Sequence, residues 1–441
     1  MYSRRSRTPL LFLLLLACAH SQPYLGWPWS VDAWIAKGMQ DWSSTTAHMI
    51  LLGLGVGIVV ADYWFSAAPR RLPGAPRLRI LWAPPIVFGV AAVVLWTLRV
   101  HHWAGDFVGD RVIAEPSYYT PVVETAEPLG TVTMAYTCRL ARWFGATCAT
   151  GIQMESVLYG ASAVLAMALW ARRFPQPGKV FAMVALSGYA VLFCGYVEKG
   201  TIKALALNAW YVYAGTRVLT GGAAGWCYAA SLFLALATLM HGSSLVWLPA
   251  HAVAVWTLPG WRARLLSVAC WLLPVIAMVL SVLTGLTPLR GNPMGTTLAF
   301  LSWTTDLCLT YWRGNTLCGK PFFSIEHGFW FINSLLAMAP VATLCVPEAL
   351  WRGGRSRLTL WLALGASGWL FLSAIWHPGL SFSWFSDWDI FALPPYVVSV
   401  CAVVVASTQL EAMDFRHFSA VWIALTAPHA WLWWRIWQGV G

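Results

Sequence analysis

The chain has 441 residues, of which 59% are hydrophobic and 10% charged, with 30 Trp and a formal net charge of +11. Soluble domains carry roughly 25% charged residues, so this composition excludes an ordinary soluble globular protein and points to a polytopic membrane protein. The basic residues sit in short Arg clusters between apolar runs, which argues against a nucleic-acid partner and for a membrane-orientation signal.

The N-terminus, "MYSRRSRTPLLFLLLLACAHSQ", combines basic residues, a short apolar stretch and Ala17-Cys18-Ala19, a small-residue pattern of the signal-peptidase type. Residues 1–20 are expected to be a signal peptide or a short signal anchor, and both alternatives stay open. Residues 21–78 form an N-terminal extension with a first span, and 79–441 the main transmembrane domain. Apolar segments long enough to cross a bilayer fall near 47–66, 79–99, 152–172, 180–197, 202–220, 224–240, 243–259, 266–286, 326–346, 358–376, 388–407 and 418–438. The expected fold class is therefore all-α: a polytopic transmembrane helix bundle of about 12 spans, with amphipathic helices on its outer face.

With Arg4, Arg5 and Arg7 placed in the cytoplasm, alternation puts 17 of the 28 basic residues on that side, the orientation that the positive-inside rule demands. All acids except Asp62, Glu348, Glu411 and Asp414 then fall on or near the other face, which is where the chemistry is expected. The two longest connections, 100–151 and 287–325, also lie outside. No cytoplasmic loop is long enough for a nucleotide-binding domain, and no GxxxxGK phosphate loop occurs. Ten Cys without a CxxC pair argue against structural zinc. An oxidising outer side permits disulfides within the outer stretches, pairing Cys308 with Cys318 and Cys138 with Cys148.

Five polar stretches converge on the outer face: 101–116 with 123–131, "GYVEKG" (195–200), "MHGSS" (240–244), 322–333 and 377–394. An acceptor hydroxyl needs a general base, and Asp110, Asp106 and Glu127 are the catalytic candidates. Asp110 leads because "GDR" makes a tight turn with a neighbouring cation. His241, Lys199, Glu198, His377 and Arg290 are candidates for holding a donor or its phosphate. Solvated loop acids, an ion pair capping a helix hairpin at Glu198-Lys199, and an interfacial helix cap at His241 are the structural alternatives. Asp387 and Asp389 of "SDWD" are candidates for holding a divalent cation, Mg²⁺ or Mn²⁺, or for orienting a cationic side chain.

Taken in order, Gly109-Asp110, Glu127-Pro128-Leu129, Gly195-Tyr196-Val197-Glu198, His241, His327 with Asn333, and Asp387-Trp388-Asp389-Ile390-Phe391 resemble the motifs of a bacterial branch of the GT-C superfamily of polytopic membrane glycosyltransferases. The likeness spans roughly residues 79 to 407. Lys199 departs from it, standing where a polar or aromatic residue is expected. The resemblance implies a multi-pass enzyme of the inner membrane with its active site facing the periplasm. It further implies a polyprenyl-phosphate-linked sugar as donor, a glycan, lipid or protein as acceptor, and no nucleic acid. A flippase or transporter for a lipid-linked saccharide, and an O-antigen-type ligase or polymerase, are the alternative functions.

Overall fold

The computed structural model describes residues 83–99, 127–174, 176–187, 200–288, 356–375 and 388–409, together with isolated positions at 339, 342 and between 415 and 430. All regular structure among these residues is helical, and they contain no strand. The expected all-α class is observed. The helices are α1 (Pro84–Thr97), α2 (Pro128–Trp143), α3 (Cys148–Ala171), α4 (Pro177–Ala185), α5 (Thr201–Leu219), α6 (Gly225–Met240), a 3-10 turn (Gly242–Trp247), α7 (Leu248–Trp256), α8 (Gly260–Leu283), α9 (Arg357–Ile375) and α10 (Trp388–Gln409).

Local sequence explains several of the starts. Proline occupies the first turn of α1, α2, α4 and α7, where its missing N–H costs nothing and its fixed φ suits a helix. Thr147 caps α3 by accepting a hydrogen bond from the Thr150 N–H at 3.1 Å. Between helices, small residues set the spacing. The buried face of α3 carries Gly160, Ala161, Ala163 and Ala166, and that of α5 carries Ala204, Ala206 and Ala209. Such residues let apolar helices approach closely without a hydrophobic driving force between them.

The interhelical bonds fix the directions. Lys203 pairs with Glu155, Trp210 Nε1 donates to Ser162 Oγ (2.9 Å), Trp170 Nε1 donates to Thr216 Oγ1 (3.1 Å) and Arg173 donates to Thr220 Oγ1 (2.6 Å). Both sequences advance together, so α3 and α5 run parallel. Helix α6 returns antiparallel to α5, with Trp210 stacked on Phe233 and Tyr213 edge-on to Trp226. Helix α2 doubles back along the first half of α3 and is joined to it by the Cys138–Cys148 disulfide, as the spacing of the two cysteines predicts. Gly130, Met134, Cys138 and Ala141 form its buried stripe. In the core, Tyr211, Trp247 and Trp361 pack with centroids 5.0 to 5.4 Å apart, and Trp361 Nε1 donates to the Tyr211 hydroxyl at 3.1 Å. A Cβ on Gly365 would overlap the Trp247 ring, so glycine is required there.

These directions gather most of the described basic residues at one end, with Arg139, Arg142 and Lys203 in the other half. Arg172, Arg173, Lys179, Arg217, Arg262, Arg264, Arg357 and Arg416 fall at or beyond the helix ends on one side of the bundle. The acids among the described residues, Glu127, Glu155 and Asp389, belong to the opposite half.

Against the expected spans there are two differences. The segment 243–259 is not one helix: Gly242, Ser243 and Ser244 open a 3-10 turn, and Pro249 begins the separate α7. Second, the described residues contain two helices long and apolar enough to cross a membrane, Cys148–Ala171 and Gly260–Leu283, and four shorter apolar ones, so twelve spans are not established. Residues 1–82, hence the leader, the extension and the span at 47–66, lie outside the described residues. So does most of the ranges 326–346 and 418–438, along with the second half of 180–197.

Candidate functional site

Three helix termini meet at the acidic end of the bundle. Gly200 precedes α5, His241 follows α6, and Glu127 precedes α2. A Cβ built on Gly200 would overlap the carbonyl oxygen of Met240 and lie 3.3 Å from Glu127 Oε2. Only glycine permits the approach to Met240, and the Glu127 carboxylate stands beside it at the start of α5. A carboxylate there is favoured by the partial positive charge of a helix N-terminus. Glu127 makes no side-chain cap bond to its own helix, although its carbonyl accepts from the Thr131 N–H at 3.2 Å.

His241 Nε2 lies 3.6 Å from Glu127 Oε1, and both side chains are nearly buried. The ring orientation is settled on its other nitrogen. The Ser243 backbone N–H, which can only donate, points at His241 Nδ1 at 3.3 Å, so Nδ1 is the acceptor and the proton resides on Nε2, facing Glu127. Ser243 Oγ also touches Nδ1. Burial pushes the His241 imidazole down to about 4. The carboxylate beside it works in the opposite direction, but the cost of burying an imidazolium prevails, so the ring is neutral at pH 7. At 3.6 Å the neutral ring is beyond hydrogen-bond distance from Glu127, so it faces the carboxylate without cancelling its charge. Below, Asn208 Nδ2 donates to Ser244 Oγ at 3.1 Å, holding the turn that carries His241 against α5.

One turn into α5 lies Lys203, whose side chain is fully buried. An ammonium has three donors, and all three are engaged: Glu155 Oε1 at 3.0 Å, Gly130 O at 3.2 Å and Thr133 Oγ1 at 2.8 Å. Lys203 thus ties the first turns of α2 to α3 and α5, which fixes where Glu127 stands. No hydrogen of its ammonium remains for a ligand.

Of the residues singled out from the sequence, Glu127 and His241 are brought together. Asp106, Asp110, Glu198, Lys199, Arg290, His377 and Asp387 lie outside the described residues, as do His327, Asn333, Cys308 and Cys318. Asp389 is placed by its backbone as the second residue of α10. Among the described residues no group of three or more His, Cys, Asp or Glu side chains is arranged to hold a metal ion. Glu155, Lys203, Asn208 and the Gly200 contact were not anticipated. The available signal was one charge of each sign just inside the start of two apolar segments, a placement that asks for a named partner.

No family model matches the chain, and no curated protein matches it either.

Proposed function

We propose that the protein is a membrane glycosyltransferase that moves a sugar from a polyprenyl-phosphate-linked donor to an acceptor on the periplasmic side of the inner membrane. The observation carrying this reading is the seating of the Glu127 carboxylate at the α5 N-terminus with the His241 N–H directed at it. Support also comes from the order of the GT-C-like motifs and from the gathering of eight of the twelve described basic residues at the end opposite the acids. In the reaction, the acceptor hydroxyl oxygen attacks the anomeric carbon, a carboxylate takes the hydroxyl proton, and the carbon–oxygen bond to phosphate breaks to release the polyprenyl phosphate. Asp110 is assigned as the base. Glu127, beside His241, polarises the acceptor. Asp387 and Asp389 attend the leaving phosphate, through a divalent cation or by orienting a cationic side chain.

The rival reading, a carrier for a lipid-linked saccharide, is favoured by one observation: the Glu155–Lys203 pair lies within the helices, where transporters place ionisable groups. The Lys203 ammonium is fully engaged inside the bundle, which weighs against its binding cargo, while Glu155 Oε2 is buried with no hydrogen-bond partner among the described residues. The test is turnover of a lipid-linked sugar by the purified protein. Asp110→Asn and Glu127→Gln should each reduce it by about 10² to 10⁴ while donor binding persists, the range for loss of a proton-transfer or polarising group. Wild-type turnover in both variants removes the assignment. Movement of the donor between leaflets without its consumption establishes the carrier.

A further inference from the structure

The mechanism leaves the arginine-rich end of the bundle unused. Arg173, just past α3, reaches across to the C-terminus of α5, where its Nη2 donates to Thr220 Oγ1 at 2.6 Å. Arg217, in the last turn of α5, stacks over the Trp226 ring with its guanidinium carbon 4.9 Å from the centroid. The two guanidiniums are near enough that partial burial and then the field of Arg217 hold Arg173 below its ordinary value. Helix C-termini favour cations singly. Thr220 links the two residues, accepting from Arg173 and donating to the Arg217 carbonyl at 3.5 Å, and an anion bound between the guanidiniums would relieve their mutual repulsion.

The surroundings say which anion. Trp256 and Trp261 stand at the same end, 74% and 65% exposed, with Arg264 over the Trp256 ring (4.7 Å) and Arg262 over that of Trp261 (5.6 Å). Exposed Trp beside Arg is the pattern of the bilayer interface, at headgroup level. From that level α8 departs with Leu265, Leu266, Leu272, Leu273 and Ile276 exposed, a surface suited to acyl chains. A planar guanidinium offers forked N–H donors matched to phosphate oxygens.

We propose that Arg173 and Arg217, with the Trp226 ring, form a docking place for the phosphate of an anionic lipid headgroup at the cytoplasmic end of the bundle. The inference rests on the membrane placement of the chain and not on the transfer reaction.

The experiment uses the full-length protein in a neutral detergent, with native mass spectrometry and thermal unfolding as readouts. The probes are phosphatidylglycerol, phosphatidylcholine and inorganic phosphate. Phosphatidylglycerol should be retained and should raise Tm, whereas phosphatidylcholine and free phosphate should not. The double variant R173Q/R217Q should retain phosphatidylglycerol about 30-fold less, the factor expected for two cations near an anionic surface. R173K/R217K should keep part of the binding, and R139Q/R142Q, at the opposite end, all of it. Equal retention of the two lipids by the wild type overturns the proposal, and that comparison decides it even if the Gln variant fails to fold. Protection by free phosphate as strong as by the lipid also overturns it, as does undiminished lipid retention in R173Q/R217Q. A protein that stays soluble and monodisperse without detergent would remove the membrane placement itself, and loss of glycosyl transfer alone would touch neither.

Discussion

Lys203 is the residue whose environment leaves least room for alternatives. Removing one partner of a buried, hydrogen-bonded ion pair strands the other, whereas replacing both by apolar groups can be neutral. Lys203→Ala should therefore destabilise the protein by about 3–5 kcal/mol, and Lys203→Met combined with Glu155→Leu should recover most of that loss in thermal unfolding. His241 carries a second prediction. Its folded-state value of about 4 lies below the ordinary 6.5, so between those limits the unfolded chain binds more protons than the native one. Stability contributed by the neutral ring is whole above 6.5 and falls as the pH drops toward 4. His241→Gln should flatten that part of the stability profile, and an unchanged slope refutes the burial argument. At this scale the sequence identified Glu127 and His241 because each interrupts an apolar pattern at a loop. It did not reveal Lys203, since a lysine at the start of an apolar segment reads equally well as a snorkelling side chain, and Glu155 is distant in sequence until α3 and α5 pack in parallel.

At the scale of elements, the junction of α5 and α6 is the sensitive one. Gly200→Ala puts a methyl group into the Met240 carbonyl, a backbone atom that cannot rotate away. The two helix ends must separate, at a cost of about 1–3 kcal/mol typical of overpacking. Because Glu127 and His241 stand at these same helix ends, their separation should also lower turnover; an alanine variant with native Tm and native activity would show that the helices are not held at this distance. The helices themselves were largely legible from runs of apolar residues, and α1, α3, α5, α6, α8, α9 and α10 overlap the expected segments. The exception, 243–259, is instructive. Hydropathy averages over Gly242-Ser243-Ser244 and Pro249, but backbone geometry does not: a polar turn and a proline at a helix start divide the run into a 3-10 turn and α7.

For the whole molecule, the gathering of most basic residues at one end fixes an expected orientation. With cysteine introduced into a background lacking other reactive thiols, Tyr136→Cys on the exposed side of α2 should react with an impermeant reagent in intact cells. Arg262→Cys should react only after permeabilisation. The reverse pattern would invert the topology and, with it, the side of the proposed reaction. Alternating Arg-rich connections give an expected direction for each apolar segment, but the pairing of α3 with α5 and the fold-back of α2 could not be read from them. Both depend on small-residue faces and on the Cys138–Cys148 disulfide, which carry no direction in the sequence.

The parallel register of α3 and α5 has a consequence for depth. Between Glu155, beside the candidate site, and Ala171, at the arginine end, α3 rises about 24 Å. The hydrocarbon core of a bilayer is about 30 Å thick. If Ala171 marks the cytoplasmic boundary of the proposed placement, the level of Glu155 lies about 6 Å beneath the opposite surface. Gly200 precedes Lys203 by three residues, about 4.5 Å of helix rise, so Glu127 and His241 would stand about 1.5 Å below that surface, at the level of the head of a lipid-linked donor. Bilayer thickness becomes a control on the reaction: reconstituted in lipids of increasing acyl length, the protein should turn over progressively more slowly as the site is submerged. Rates indifferent to thickness would place the site clear of the bilayer.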